Sequence, residues 1–182
     1  YTNMPKLFEA KSFQHISNTK EYWIGAPLCR SGNPYHVKQK AENLYTLYFQ
    51  FMQYFDGSIL LSEDEFNNLI QYHKSLKKSI VTMVNEDKQP KGFAIYSTKD
   101  NQAHVEVLVY FDSQAIQDLL SYLSINNEVT SILISESERF DKLFPLHFPR
   151  TDKKLMVRLN NYKLFDKFSN TNVRNAKTAY EL

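Results

Sequence analysis

Glycine is scarce in this 182-residue chain, with four in all: Gly25, Gly32, Gly57 and Gly92. A backbone that must approach a phosphate closely relies on glycine, so these positions limit which loops can hold one. Cysteine is scarcer still. Cys29 stands alone, which excludes an internal disulfide and points to a reducing, cytoplasmic compartment. Charge of one sign is lacking too: a net charge of +2 argues for neither a nucleic-acid nor a membrane partner. No apolar run reaches the roughly 18–20 residues that span a bilayer. The opening residues, Tyr1-Thr2-Asn3-Met4-Pro5, have no starting methionine and no charged-then-apolar signal pattern, and the chain stops at Tyr180-Glu181-Leu182 without a closing signal. Both ends read as cut edges of a longer protein.

What is present is a core. Hydrophobic residues make up 42% of the chain, with Phe 13 and Tyr 12, which excludes a disordered segment. Residues 5–13 suit a short helix with Pro5 in its first turn, and residues 15–24 a strand. Residues 25–34 gather two glycines and two prolines and read as a linker. Over residues 37–55 the three- and four-residue spacing of Leu44, Leu47, Tyr48, Phe51, Tyr54 and Phe55 predicts an amphipathic helix. Ser62 and Glu65 have capping-box spacing and open a second helix to about residue 74. Strands follow at residues 79–85, 92–98 and 104–111, joined by short polar turns. Asp112-Ser113 caps a helix carrying Ile116, Leu119, Leu120 and Leu123 on one face. A strand at 129–135, a helical turn at 140–144, a strand at 154–159 and a helix at 161–168 complete the pattern.

Three adjacent strands with short turns imply an antiparallel meander, and the helix between the third and fourth implies a parallel crossover. The fold class is therefore α/β (α+β), with a mixed sheet. This element order is similar to that of the GNAT acetyltransferase fold, and residues 5–24 resemble its closing helix and strand. Two patches resemble the tandem-GNAT family named for enhanced intracellular survival (Eis). One is His104-Val105-Glu106-Val107-Leu108-Val109-Tyr110 with Asp112-Ser113-Gln114-Ala115; the other is Lys154-Leu155-Met156-Val157-Arg158-Leu159 with Tyr162-Lys163-Leu164-Phe165. Gly92-Phe93-Ala94-Ile95-Tyr96 sits where that family has a glycine-tyrosine strand. The resemblance implies a division into the end of a first GNAT domain (1–28), a linker (29–36), a second GNAT domain (37–160) and the start of a sterol-carrier-like third (161–182).

It also implies acetyl-CoA as the cofactor of the parent enzyme and a small-molecule amine as its acceptor, with homo-oligomerisation open. The family binds the pyrophosphate at a glycine-rich strand-to-helix loop. Here the equivalent junction, Tyr110-Phe111-Asp112-Ser113-Gln114-Ala115, has no glycine and carries a carboxylate where a phosphate would sit. The family's general-acid tyrosine falls on Phe8, whose ring cannot donate a proton, and Ser12 stands at the matching glycine. A purely structural helix accounts for Phe8 equally well. No cofactor is therefore expected for this chain itself.

The remaining candidates weigh toward structural roles. His15, His36, His73, His104 and His147 show no metal-ligand spacing. Asn33-Pro34-Tyr35-His36 lacks the Gly-His of a nucleotidyltransferase loop. Ser62-Glu63-Asp64-Glu65 reads as a helix start rather than a metal site, and Cys29 has no base partner in sequence. Tyr45, Tyr48, Phe51, Tyr54 and Phe55 are either core or the lining of a groove. No catalytic, cofactor-binding or metal residue is assigned. Two readings stand: a non-catalytic, pocket-forming segment of an N-acetyltransferase, or a stand-alone degenerate GNAT-fold module that binds without catalysis.

Overall fold

The computed structural model describes residues 14–39, 43–54, 60–135, 140–142 and 149–157, with backbone only at 14–18, 135, 141 and 152–157. The stretches expected as helices at 5–13 and 161–168, and Phe8 with them, lie outside the described residues.

The meander is where the β-branched and aromatic runs placed it. Strands β3 (Ser79–Val84), β4 (Pro90–Lys99) and β5 (Gln102–Tyr110) pair antiparallel in sequence. Between β4 and β5 the turn has only Asp100 and Asn101, with φ of 51° and 58°. Both are left-handed, as a two-residue hairpin that matches strand twist requires. Alternation along β4 sends Phe93 and Ile95 to one face and Ala94 and Tyr96 to the other.

Helix α4 (Ser113–Leu123, numbered in chain order after three helices given below) crosses one face to β6 (Val129–Ser135), which runs parallel to β5. Ala115, Ile116, Leu119, Leu120 and Leu123 are buried against Val81, Met83, Ala94, Val105, Leu108 and Ile132. Each of the Val, Leu, Ile and Met side chains contributes about 1.5–3 kcal/mol on burial. The other face is covered by α2 (Leu44–Met52) and α3 (Glu63–Ser75), whose Leu47, Tyr48, Phe51, Phe66 and Ile70 pack on Phe93, Ile95 and Val109. The rings of Tyr48 and Phe66 stack at 4.8 Å.

The helix expected over residues 37–55 is shorter. Val37–Lys38 form the edge strand β2, paired to Met83 and Thr82, and the helix begins at Leu44 behind Asn43 in the left-handed region (φ 55°). A hydrogen-bonding edge on β3 outweighs helical periodicity at those residues.

Among the described residues, with β1 at Gln14–Gly25 and β7 at Arg150–Val157, seven strands form one sheet in the order β2-β3-β4-β5-β6-β1-β7. Strand β1 (Gln14–Gly25), the stretch expected to close a preceding domain, is an interior strand of it, antiparallel to both β6 and β7 (Arg150–Val157). Its Tyr22 and Ile24 enter the α4 core, where Tyr22 meets Phe140 at 4.9 Å between ring centroids. The stretch expected as a linker is packed rather than free. Ala26–Cys29 form a short helix, α1, and Pro34–His36 a 3-10 turn against α4.

Candidate functional site at the fork between β5 and β6

Parallel pairing between β5 and β6 runs only from Gln102↔Val129 to Val105↔Ile132, although both strands continue. The break has a local cause. In the β4 register Ile95 pairs with Val107 and Tyr96 with Val105, so Glu106 is the extra residue of a β-bulge. A bulge bends its strand, and the carboxyl half of β5 diverges from β6 just there. In open α/β sheets such a fork, at the carboxyl ends of parallel strands, is where ligands bind.

Helix α4 starts at the end of the diverging half. Its cap, Asp112, accepts the backbone N–H of Ala115 at 2.7 Å. A helix N-terminus carries partial positive charge and free N–H groups, which suits an anion. Here the protein's own carboxylate holds that pole. Gln114, in the first turn, is drawn inward and donates to the Asp118 carboxylate at 2.6 Å. The junction has no glycine, and Asp112 places a carboxylate at the pole.

Asp118 is the residue that the sequence reading passed over. It is fully buried on the side of α4 that the Asn33–His36 stretch covers, yet well satisfied. Oδ1 accepts Asn33 N–H at 2.6 Å and Gln114, and Oδ2 lies 2.7 Å from His36 Nδ1. The Asn33 side-chain amide contacts His36 Nε2 at 3.1 Å. With the Asn33 amide nitrogen donating to Nε2, Nδ1 carries a proton toward Asp118. Ser121 Oγ donates to Gly32 O at 3.0 Å. A side chain at Gly32 would stand 2.3 Å from the Gln117 backbone, so only glycine lets the chain lie this close to α4. The signal in sequence was a single carboxylate amid Ala115, Ile116, Leu119 and Leu120.

A second polar cluster lies at the bulge. Glu106 accepts the Lys78 ammonium at 2.5 Å, and its Oε2 is 3.9 Å from Nδ1 of the buried His73. Burial holds His73 below its ordinary value of 6.5, Lys78 pushes the same way and Glu106 opposes. Elsewhere, His104 Nδ1 lies 2.8 Å from Ser131 Oγ. The aromatic stripe divides, with Tyr48 and Phe51 in the core and Tyr54 exposed. The side chain of His15 and all of Phe55 and His147 lie outside the described residues. Ser62 and Glu65 make the reciprocal capping box. Among the described residues no group of His, Cys, Asp or Glu could hold a metal ion, and no helix is long and apolar enough to cross a membrane.

Seven strands in this order, a bulged strand forking from its parallel neighbour and a crossover helix at the fork define the GNAT fold. A family model of the acetyltransferase (GNAT) domain matches residues 59–162, more than half of the chain. The chain belongs to the GNAT acetyltransferase family. Solved structures agree on the fold. A GCN5-related N-acetyltransferase from Anabaena variabilis superposes with TM-score 0.66 at 14% identity, covering 87% of this chain and 44% of that one. One from Kribbella flavida gives 0.63 at 14%, covering 84% and 40%. Eis1 from Mycobacterium abscessus gives 0.56 at 12%, covering 81% and 43%. This chain therefore spans about two fifths of their length. Among curated proteins the comparison finds no match.

Proposed function

We propose that this chain is a structural GNAT unit within a longer N-acetyltransferase, one that transfers acetyl from acetyl-CoA to a small amine at a site this unit does not itself carry. The observation behind this reading is Asp112 at the α4 pole, bonded to Ala115 at a junction without glycine. A pyrophosphate brought there would meet a carboxylate that already holds the Ala115 N–H and would have to displace this cap. Family membership supports the acetyl donor, and the greater length of the similar structures supports a catalytic unit elsewhere in the polypeptide. In the same reading β1, the closing strand of an upstream unit, completes the sheet of this one, and the unit walls the acceptor pocket. The Eis-type subfamily rests on the His104–Ala115 and Lys154–Leu159 patches together with the fold shared with Eis1.

Isothermal titration of the chain with acetyl-CoA tests the proposal. The expected result is no saturable heat up to millimolar cofactor. A micromolar dissociation constant overturns it, and Asp112→Ala would then show whether the α4 pole is the site.

A further inference from the structure

His73 is a buried imidazole with an unanswered nitrogen. It lies on α3 with 6% of its surface exposed, and its Nδ1 has no hydrogen-bond partner. The nearest acceptor is Glu106 Oε2 at 3.9 Å, too far for a hydrogen bond. That oxygen is already taken by Lys78 at 2.5 Å, whose side chain is itself largely buried. Among the described residues the charges acting on the ring are Lys78, in the turn after α3, and Glu106, on β5; Tyr72 adds only its ring edge at 5.8 Å. One carboxylate thus faces two cation-forming groups and bonds to one of them. It is also the extra residue of the bulge where β5 leaves β6.

We propose that His73, Lys78 and Glu106 form a pH-operated partner exchange that moves the bulge of β5. When solvent protonates the ring, Nδ1–H becomes a charged donor in a poorly hydrated place, and Glu106 is the acceptor within reach. Glu106 turns from the ammonium to the imidazolium, while Lys78 extends to solvent. Only hydrogen bonds change. Closing 3.9 Å to the about 2.8 Å of a charge-assisted bond needs roughly 1 Å of movement. A bulge residue, unpaired with β4, can supply that movement without breaking the ladder. Because burial and Lys78 both hold the ring below 6.5, the exchange belongs to mildly acidic conditions and is absent at neutral pH. The fork then has two settings, and this holds whether or not the unit binds acetyl-CoA.

An NMR pH titration of the full chain, following the His73 ring and the backbone amides, tests this. The amides of Val105, Glu106, Val107 and Ile132 should shift with the midpoint of the His73 ring. In Glu106→Gln the ring should still titrate while those amides stop following it. In Lys78→Met, which keeps the aliphatic stem and so the packing, the midpoint should move up because a repelling cation is gone. Amides that stay flat through the His73 titration overturn the proposal. So does the same amide response in Glu106→Gln, or an unmoved midpoint in Lys78→Met.

Discussion

Cys29 is buried beneath β6, and burial pushes its thiol up to about 11, with the Thr130 hydroxyl pulling the other way. At pH 8 that leaves roughly one thiolate in a thousand, and the group is shielded as well. Disulfide-exchange reagents should therefore modify the native chain far more slowly than the denatured chain. A native rate within tenfold of the denatured rate would contradict the burial. The sequence reading had Cys29 inert for want of a partner; the structure gives burial as the physical cause. Asp118 was not legible, because the spacing of Ala115, Ile116, Leu119 and Leu120 marks the apolar face of α4 and Asp118 lies off it, under Asn33 and His36. Whether such a carboxylate is paired depends on Asn33 and His36, some eighty residues away. No local pattern carries that information.

Among the elements, the ones whose signals are local were legible. Ser62 Oγ accepts Glu65 N–H while the Glu65 carboxylate accepts Ser62 N–H at 2.8 Å, the capping box read from a serine and a glutamate three apart. Asp112 capping α4 is the same kind of signal. Ser62→Ala should cost about 1 kcal/mol, a fall in melting temperature of about 2–4 °C by thermal denaturation. No change in melting temperature would mean that α3 is held by its Phe66 and Ile70 packing alone. The start of α2 was not legible. Val37 and Lys38 join the sheet because β3 offers an edge there, and an edge strand two residues long leaves no periodicity to read. The strap from Gly32 to His36 has the glycine and proline of a linker, but here the glycine permits close contact and not freedom.

At the scale of the whole molecule, the meander, the crossover and the GNAT order were visible because each follows from neighbours in sequence. The placement of β1 was not, since its partners lie at the far end of the chain. Tyr22 pairs with Ile132 and Thr19 with Asp152, so β1 covers the edges of both β6 and β7. Removing it would bare two strand edges and the space filled by Tyr22 and Ile24 in the α4 core. A chain lacking residues 1–25 should therefore aggregate on expression. A monomeric, cooperatively melting product of this deletion would show that β1 is dispensable.

That interior place for the first strand sets a schedule for synthesis. At about 5–20 residues per second, on the order of ten seconds separates the emergence of β1 from that of its partners. During that interval Tyr22, Trp23 and Ile24 travel with neither neighbour made, while the meander and α4 can already pack on one another. The last step of assembly is then the docking of an earlier-made strand between two made later. Loop closure over such a span is slow compared with a hairpin, so folding should be limited by this return rather than by the meander. A nascent chain stalled before β7 would hold a nearly complete sheet with its first strand still open on one side. That is the moment at which a chaperone has most to gain by covering it.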